Sequence, residues 1–193
     1  MGPDRGAQGR WSNCLTGLRQ RAAEALRRDP ALPAVEFEGR WQSWGDLARI
    51  AAGIETALAA SGIAADAPVA FIPRNRPSSL AALLALIAQE RTIRMVYAFQ
   101  SPSGIARDLA ARDVAAVVMD AADDSREVRQ GLADKGCAAV VLNEAGAEAL
   151  NGFEHSGITM RDPGPPRIEI LTSGTTGPPK PFAVPYALIE EHF

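Results

Sequence analysis

The apolar positions of this chain alternate between two kinds of spacing. Short apolar runs lie at 69–72, 93–97, 114–119 and 138–142, and runs such as 114–118 are apolar on both faces. Between them are stretches in which apolar residues recur at helical spacing, at 78–90, 103–112 and 124–135. Buried strands separated by helices of this length predict βαβ units in a mostly parallel sheet with helices on its faces. The predicted fold class is therefore α/β.

Two further elements are predicted upstream of this alternation. Apolar residues recur at helical spacing over 14–28, which predicts a helix. Short apolar/polar alternations at 34–37 and 41–44 flank a glycine, which predicts a β-hairpin. Trp41 and Trp44 belong to this hairpin, and we expect both side chains to pack in the core.

The helix after the hairpin has a signal at each end. Ser43 is followed three residues later by Asp46, which resembles a capping box with Asp in place of the more usual Glu. Gly62 can adopt the left-handed conformation that commonly ends helices. We therefore predict a helix between these signals.

The pattern weakens after residue 142. Residues 161–166 contain three prolines and a glycine, which is typical of a loop or linker. Residues 167–171 then alternate polar and apolar, which predicts a strand with one packed face. The predicted organisation is a flexible terminus at 1–12, an α/β subdomain at 13–160, a linker at 161–166 and the start of another subdomain at 167–193.

Composition excludes several classes of protein. A formal charge of −3 with scattered basic residues gives no surface for nucleic acid. The longest apolar run, at 80–88, is nine residues, well below the roughly 20 of a membrane helix. No secretory signal is recognisable, and Cys14 and Cys137 lack partners at metal-binding spacing. We expect a cytoplasmic, soluble protein with free thiols and no membrane partner.

Several residues could suggest a metal site, but each has a simpler interpretation. His155 and His192 have no carboxylate or cysteine partner at useful spacing and are interpreted as surface residues. Asp120, Asp123 and Asp124 are explained by a turn after a strand and the start of a helix, because acids favour helix N-termini. No metal-binding residue is predicted.

Basic residues and threonines are unevenly distributed. The chain has 18 arginines but only two lysines, Lys135 and Lys180. Three of its seven threonines lie within five residues of one another, just before the second lysine. This concentration marks the segment at 171–180 as the candidate for chemistry.

That segment combines the residue types that bind phosphate. Gly174 and Gly177 allow close approach of the backbone to a ligand. Hydroxyl groups beside their own N–H groups are supplied by Thr172, Ser173, Thr175 and Thr176. Lys180 adds a compact charge suited to a departing pyrophosphate. A flexible turn without a ligand is the alternative, whereas a Walker-type loop does not fit because only two residues separate the glycines.

The order of residues from Thr172 to Lys180 resembles the signature of the adenylate-forming superfamily. That superfamily contains acyl- and aryl-CoA synthetases, peptide-synthetase adenylation domains and luciferases. The resemblance extends to upstream segments in the order and spacing of the family's N-terminal region, at 37–41, 73–75 and 80–88. It covers roughly residues 15–185 of the chain.

This resemblance implies a fold, a ligand and a reaction. The fold would be the helix-flanked, mostly parallel sheet of the family's N-terminal domain. The β- and γ-phosphates of ATP would be bound by Thr172, Ser173, Gly174, Thr175, Thr176, Gly177 and Lys180. A carboxylic acid would attack the α-phosphorus in the presence of Mg²⁺, giving an acyl-adenylate and pyrophosphate. Coenzyme A would often accept the acyl group afterwards.

The chain departs from the family pattern at several positions. Pro181 stands where a glycine is common, and residues 185–186 replace a Ser/Thr-His pair. Arg167 and Glu169 interrupt the apolar strand before the loop, and residues 98–102 replace a Pro-Leu-Asn-Pro-like turn. These differences concern the subfamily, not the family.

Family members are much longer than this chain. Several of their functional segments follow the region that this chain resembles. These segments help hold magnesium and ribose, form most of the acyl pocket and supply a C-terminal lysine. No catalytic residue is therefore predicted in this chain. Lys135 is not assigned that lysine's role, because it ends a surface-looking helix where cations are favoured. The leading hypothesis is the N-terminal part of an AMP-forming ligase that is inactive alone. The alternatives are a nucleotide- or partner-binding pseudoenzyme module and an unstable truncated product.

Overall fold

The structure is a computed structural model that describes residues 17–153, 161–162, 164–172 and 180–192. The helices in this part of the chain are α1 Leu18–Ala25, α2 Trp44–Ala60, α3 Pro77–Ala88, α4 Pro102–Ala110, α5 Arg126–Lys135 and α6 Tyr186–His192. The strands are β1 Pro33–Phe37, β2 Arg40–Ser43, β3 Val69–Ile72, β4 Ile93–Met95, β5 Ala116–Asp120, β6 Ala138–Leu142, β7 Ala147–Ala149, β8 Arg167–Thr172 and β9 Lys180–Pro185.

Seven strands form one sheet in the order β7-β6-β5-β3-β4-β8-β9. Neighbouring pairs among β3, β4, β5, β6 and β8 are parallel, whereas β7 and β9 are antiparallel edge strands. The prediction of a mostly parallel sheet flanked by helices is confirmed. The two edge strands were not predicted, because neither has a distinctive apolar pattern of its own. The boundaries predicted around 161–166 stay a prediction, and β8 joins the same sheet as β3 and β4.

The two faces of the sheet are covered by different helices. Alternate residues of β3 point to opposite faces, so that Val69 and Phe71 contact one core cluster while Ala70 and Ile72 contact the other. Helices α1, α2 and α3 pack together on the first face, and α4 and α5 pack together on the second. Because both faces are covered, all four residues of β3 are fully buried, as their continuous apolar character predicts.

The capping box predicted at the start of α2 is present. The backbone N–H of Asp46 donates to Ser43 Oγ at 3.1 Å, and the backbone N–H of Ser43 donates to Asp46 Oδ2 at 2.9 Å. The hydrogen bonds from Ser43, the backbone one first, lower the pKa of Asp46. The helix ends before Gly62, which has a φ of +69°. Both end signals predicted from the sequence are therefore confirmed.

The prediction for the two tryptophans is half wrong. Trp41 lies on β2 with 63% of its surface exposed, because the two-stranded β1–β2 sheet is separate from the large sheet. Trp44 is partly buried against the core, with the Arg28 guanidinium 5.1 Å from its ring. The predicted helix at 14–28 is present as the shorter α1, while Cys14 lies outside the described residues.

Candidate functional site

The candidate phosphate-binding segment joins β8 to β9. These strands are antiparallel, and Thr172 at the end of β8 pairs with Lys180 at the start of β9. Because β8 is parallel to β4, this end of the hairpin lies at the carboxyl edge of the parallel strands. The residues between them are outside the part of the chain that the structure describes, and they include the predicted Ser173, Gly174, Thr175, Thr176 and Gly177.

Ligands of open α/β sheets bind outside the carboxyl ends of the strands. The β8–β9 connection therefore leaves the sheet where this rule places a binding site. At the same edge, β3 is followed by α3 on one face and β5 is followed by α5 on the other. This reversal between β3 and β5 forms the kind of crevice in which dinucleotide-binding folds hold their cofactor.

Two arginine–aspartate pairs occupy this crevice. Arg74, after β3, donates through Nε to Asp123 Oδ2 at 3.1 Å and through a second nitrogen to Asp123 Oδ1. Arg76 Nη1 lies 3.6 Å from Asp120 Oδ1, and both carboxylates are buried. The hydrogen bonds that Arg74 donates to Asp123 raise the pKa of this guanidinium. The crevice therefore holds its own charge-balanced side chains.

The sequence interpretation of these acids as turn and helix-start residues is confirmed, since a 3₁₀ turn at Ala121–Asp123 follows β5 and α5 begins at Arg126. The sequence interpretation did not identify Arg74 and Arg76 as the partners of Asp123 and Asp120. The two arginines in the turn between β3 and α3 were the available signal. Among the described residues, no three His, Cys, Asp or Glu side chains come together to hold a metal ion.

An exposed aromatic surface lies beside the hairpin. Tyr97 and Phe99 follow β4, are 65% and 68% exposed, and have ring centroids 5.8 Å apart. The Arg74 guanidinium lies 5.6 Å from the Phe99 ring. Ile170 and Leu171 of β8 line the same cleft, whose volume is about 230 Å³. This surface can contact planar or apolar groups next to the end of β8, where the candidate phosphate-binding segment begins.

The two lysines have different environments. Lys135 Nζ donates to the carbonyl oxygens of Leu109 and Ala110 at 3.3 and 2.9 Å, and also to that of Arg112. Its charge therefore satisfies the C-terminal carbonyls of α4, which supports leaving it out of the site. Lys180, by contrast, begins β9 at the carboxyl edge.

The residue that replaces part of the family's Ser/Thr-His pair is buried. Tyr186 begins α6, and its hydroxyl donates to the carbonyl oxygen of Arg91 at 2.8 Å. Burial raises the pKa of this phenol. Tyr186 thus anchors α6 to the segment before β4, away from the carboxyl edge.

The fold and the hairpin position define an α/β domain in which a glycine- and hydroxyl-rich segment begins and ends at the carboxyl edge of the sheet. The sequence profile of the AMP-binding enzyme family matches residues 21–187. The chain belongs to this family. No curated protein sequence shows a significant match to it. No helix among the described residues has the length and apolarity to cross a bilayer.

Three solved structures illustrate the likeness in fold, and two of them contain a bound ligand. IdnL1 matches with a TM-score of 0.64 and 15% identity, over 88% of this chain and 34% of its own. The ATP-bound RpMatB-BxBclM chimera B3 matches with a TM-score of 0.64 and 18% identity, over 88% and 35%. VinN in complex with 3-methylaspartate matches with a TM-score of 0.62 and 15% identity, over 91% and 49%. The chain thus spans about a third to a half of the length of these proteins, and the likeness concerns the fold.

Proposed function

We propose that this chain is the part of an AMP-forming ligase that binds the phosphates of ATP, in an enzyme that activates a carboxylic acid as its acyl-adenylate. The observation that carries the proposal is the position of the motif. Thr172 and Lys180 pair at the carboxyl edge of a parallel sheet, so the connection between them begins and ends where ligands of such sheets bind.

The residues of this segment would act on the phosphates in two ways. Backbone N–H and hydroxyl groups between Thr172 and Lys180 would donate to the β- and γ-phosphate oxygens. Lys180 would stabilise the charge that develops on the leaving pyrophosphate. A carboxylate oxygen attacks the α-phosphorus, the bond to the bridging oxygen breaks, and pyrophosphate leaves as the acyl-adenylate forms.

The ligands bound in two structurally similar proteins support ATP and a carboxylic acid as the two substrates. One neighbour is bound to ATP, and another to 3-methylaspartate, which carries carboxylate groups. Mg²⁺ would be coordinated in part by phosphate oxygens of ATP, as is usual for this ion. Transfer of the acyl group to a thiol such as coenzyme A is part of the proposal for the whole enzyme.

The binding step is tested by calorimetry with Mg-ATP on the 193-residue chain. We expect Lys180→Met to weaken binding by about tenfold or more, because a charge-assisted hydrogen bond contributes about 1.5–3 kcal/mol. Lys135→Met is the matched control and should leave the affinity unchanged. Equal affinities for Lys180→Met and the original chain would contradict the proposal, and so would the absence of any ATP binding.

The reaction is tested by ATP–pyrophosphate exchange with a panel of carboxylic acids. We propose that this chain alone does not support exchange, because it spans about a third to a half of the length of its structural neighbours. Robust exchange would overturn this part of the proposal. ATP binding without exchange, in this chain and in any longer protein that contains it, would instead favour a nucleotide-binding module without catalysis.

A further inference from the structure

The two charged residues that interrupt the apolar pattern of β8 belong to a closed ring of ion pairs. Arg94 Nε donates to Glu169 Oε2 at 2.9 Å, and Arg167 donates to Glu169 Oε1 through Nε at 2.8 Å. Arg167 Nη2 donates to Asp162 Oδ2 at 2.7 Å, and Arg94 Nη2 donates to the same oxygen at 3.3 Å. We call these four residues, Arg94, Asp162, Arg167 and Glu169, the ionic ring.

The ionic ring is largely withdrawn from water and balanced in charge. The four side chains are only 10–18% exposed, and two positive groups face two negative groups. Hydrogen bonds from Arg167 lower the pKa of Asp162, whose Oδ1 also accepts from the backbone N–H of Gly164. Arg94 is fixed further by donating to the backbone carbonyl of Asp113, just before β5. A buried cluster with this many satisfied contacts favours one geometry strongly over others.

The backbone pairing of β8 with β4 is short, and Tyr186 adds one link at its start, because its backbone N–H donates to the carbonyl oxygen of Pro166 and its hydroxyl to that of Arg91. The two strands pair in only two rows, Ile93 with Ile168 and Arg94 with Glu169. A shift of one residue would turn Ile168 away from the core cluster it contacts, so burial excludes odd shifts. A shift of two residues keeps the apolar face inward, and apolar burial alone does not exclude it.

The ionic ring excludes a shift of two residues between β4 and β8. A two-residue shift in one direction places Arg94 opposite Arg167, where two positive charges meet. The opposite shift places Arg94 opposite Leu171, which leaves a largely buried guanidinium without its carboxylate. Each alternative register therefore loses the Arg94–Glu169 pair. Only the observed alignment satisfies both the apolar face and the charges.

We propose that the ionic ring sets the register of β8 on β4 and thereby the height of the phosphate-binding connection above the sheet edge. Arg94 and Glu169 are then positioning residues, which act on ATP through β8 without contacting it. A two-residue slip would move Thr172 by about 6.6 Å along the sheet, enough to misplace every donor that follows. This inference rests on the proposed function for its effect on ATP, but the claim about register stands separately.

The decisive variant replaces the charged pair with apolar residues, Arg94→Met/Glu169→Leu. Apolar residues of similar volume can replace a buried ion pair with little loss of stability. They do not select between registers, because the introduced methionine could pack equally well beside Leu171. We expect the double variant to unfold at a temperature near that of the original chain, to bind Mg-ATP at least about fivefold more weakly, and to show a second set of cross-strand amide contacts by NMR. The single variant Asp162→Asn, which keeps the Arg94–Glu169 pair, should keep one set of contacts.

The control is Arg129→Met/Asp124→Leu, which removes an ion pair outside the ionic ring. It should change neither the β4–β8 contacts nor the affinity for ATP. If the Arg94→Met/Glu169→Leu variant keeps a single Ile93–Ile168 register and the original affinity, the inference is wrong. If the original chain binds no ATP, the proposed function fails, while the NMR contacts still decide whether the ionic ring sets the register.

Discussion

The guanidinium of Arg74 makes a two-point contact with the carboxylate of Asp123, across the crevice between the carboxyl ends of β3 and β5. The Asp123 side chain is fully buried, whereas a quarter of the Arg74 side chain is exposed to solvent. The pair joins the turn that leads to α3 with the turn that leads to α5, so it connects the two helical layers at the edge where the candidate site lies.

Replacing Arg74 should lower the free energy of unfolding more than replacing Asp123. Arg74→Met leaves a buried carboxylate without a positive partner, and we expect it to lower the free energy of unfolding by about 3–5 kcal/mol. Asp123→Asn leaves a guanidinium that water can reach, and we expect a smaller loss of about 1–3 kcal/mol. Urea unfolding measures both, with Asp124→Asn as the control because its partner Arg129 is half exposed. Equal losses for the two variants would contradict the assignment of Asp123 as the buried partner.

The capping box of α2 should make stability depend on pH. The folded-state pKa of Asp46 is lowered by its hydrogen bonds to Ser43, so its contribution is present above the ordinary value of 3.8 and is lost as the pH falls through the folded pKa. Asp46→Asn should therefore lower the free energy of unfolding by about 1 kcal/mol at neutral pH. The difference should vanish in acid well below pH 3.8, as followed by thermal unfolding at a series of pH values. Glu55→Gln, on an exposed position of the same helix, should show no comparable change.

The interaction of Lys135 with the end of α4 should be measurable as stability. Lys135→Met removes the donor to the carbonyl oxygens of Leu109 and Ala110. We expect the free energy of unfolding to fall by about 1–2 kcal/mol, because hydrogen bonds from a charged group exceed those between neutral groups. Arg126→Met, at the exposed start of α5, is the matched substitution of a basic residue and should have little effect in the same urea titration.

Cys137 should be protected from thiol reagents while the protein is folded. Burial raises the pKa of its thiol to about 12, because the thiolate is disfavoured in the apolar core. In a Cys14→Ser background, we expect a disulfide reagent at about pH 8 to react with Cys137 only as fast as the protein opens, and at the ordinary rate in urea. Since this pKa is raised, stability should also fall as the pH rises from about 9 towards 12. Rapid reaction of the folded protein would contradict the buried position.

Local signals in the sequence determined the parts of the structure that depend on neighbouring residues. The strands β3 and β6, and β5 up to Met119, are continuous apolar runs, as expected for strands covered on both faces. The helices between them carry a helical apolar spacing. The start of α2 was predictable because a capping box involves residues only three positions apart. The chemical character of the segment from Thr172 to Lys180 could likewise be inferred from residue types, and its binding of ATP stays a prediction.

Tertiary structure decided what depends on distant parts of the chain. The exposure of Trp41 follows from the separation of the small β1–β2 sheet from the large sheet, which its own sequence does not reveal. Arg167 and Glu169 interrupt an apolar pattern, and their contacts in the folded chain explain how a strand tolerates them. Glu169 accepts from Arg94, 75 residues earlier, and Arg167 donates to Asp162 and Glu169. The sequence by itself therefore determined the α/β architecture and the phosphate-binding character of the candidate segment, because spacing and residue type are local properties, while ATP as its ligand is what the family resemblance implies. The alignment of β8 and the partners of the buried charges required the folded chain, since Coulombic and hydrogen-bond energies depend on distances that folding alone creates.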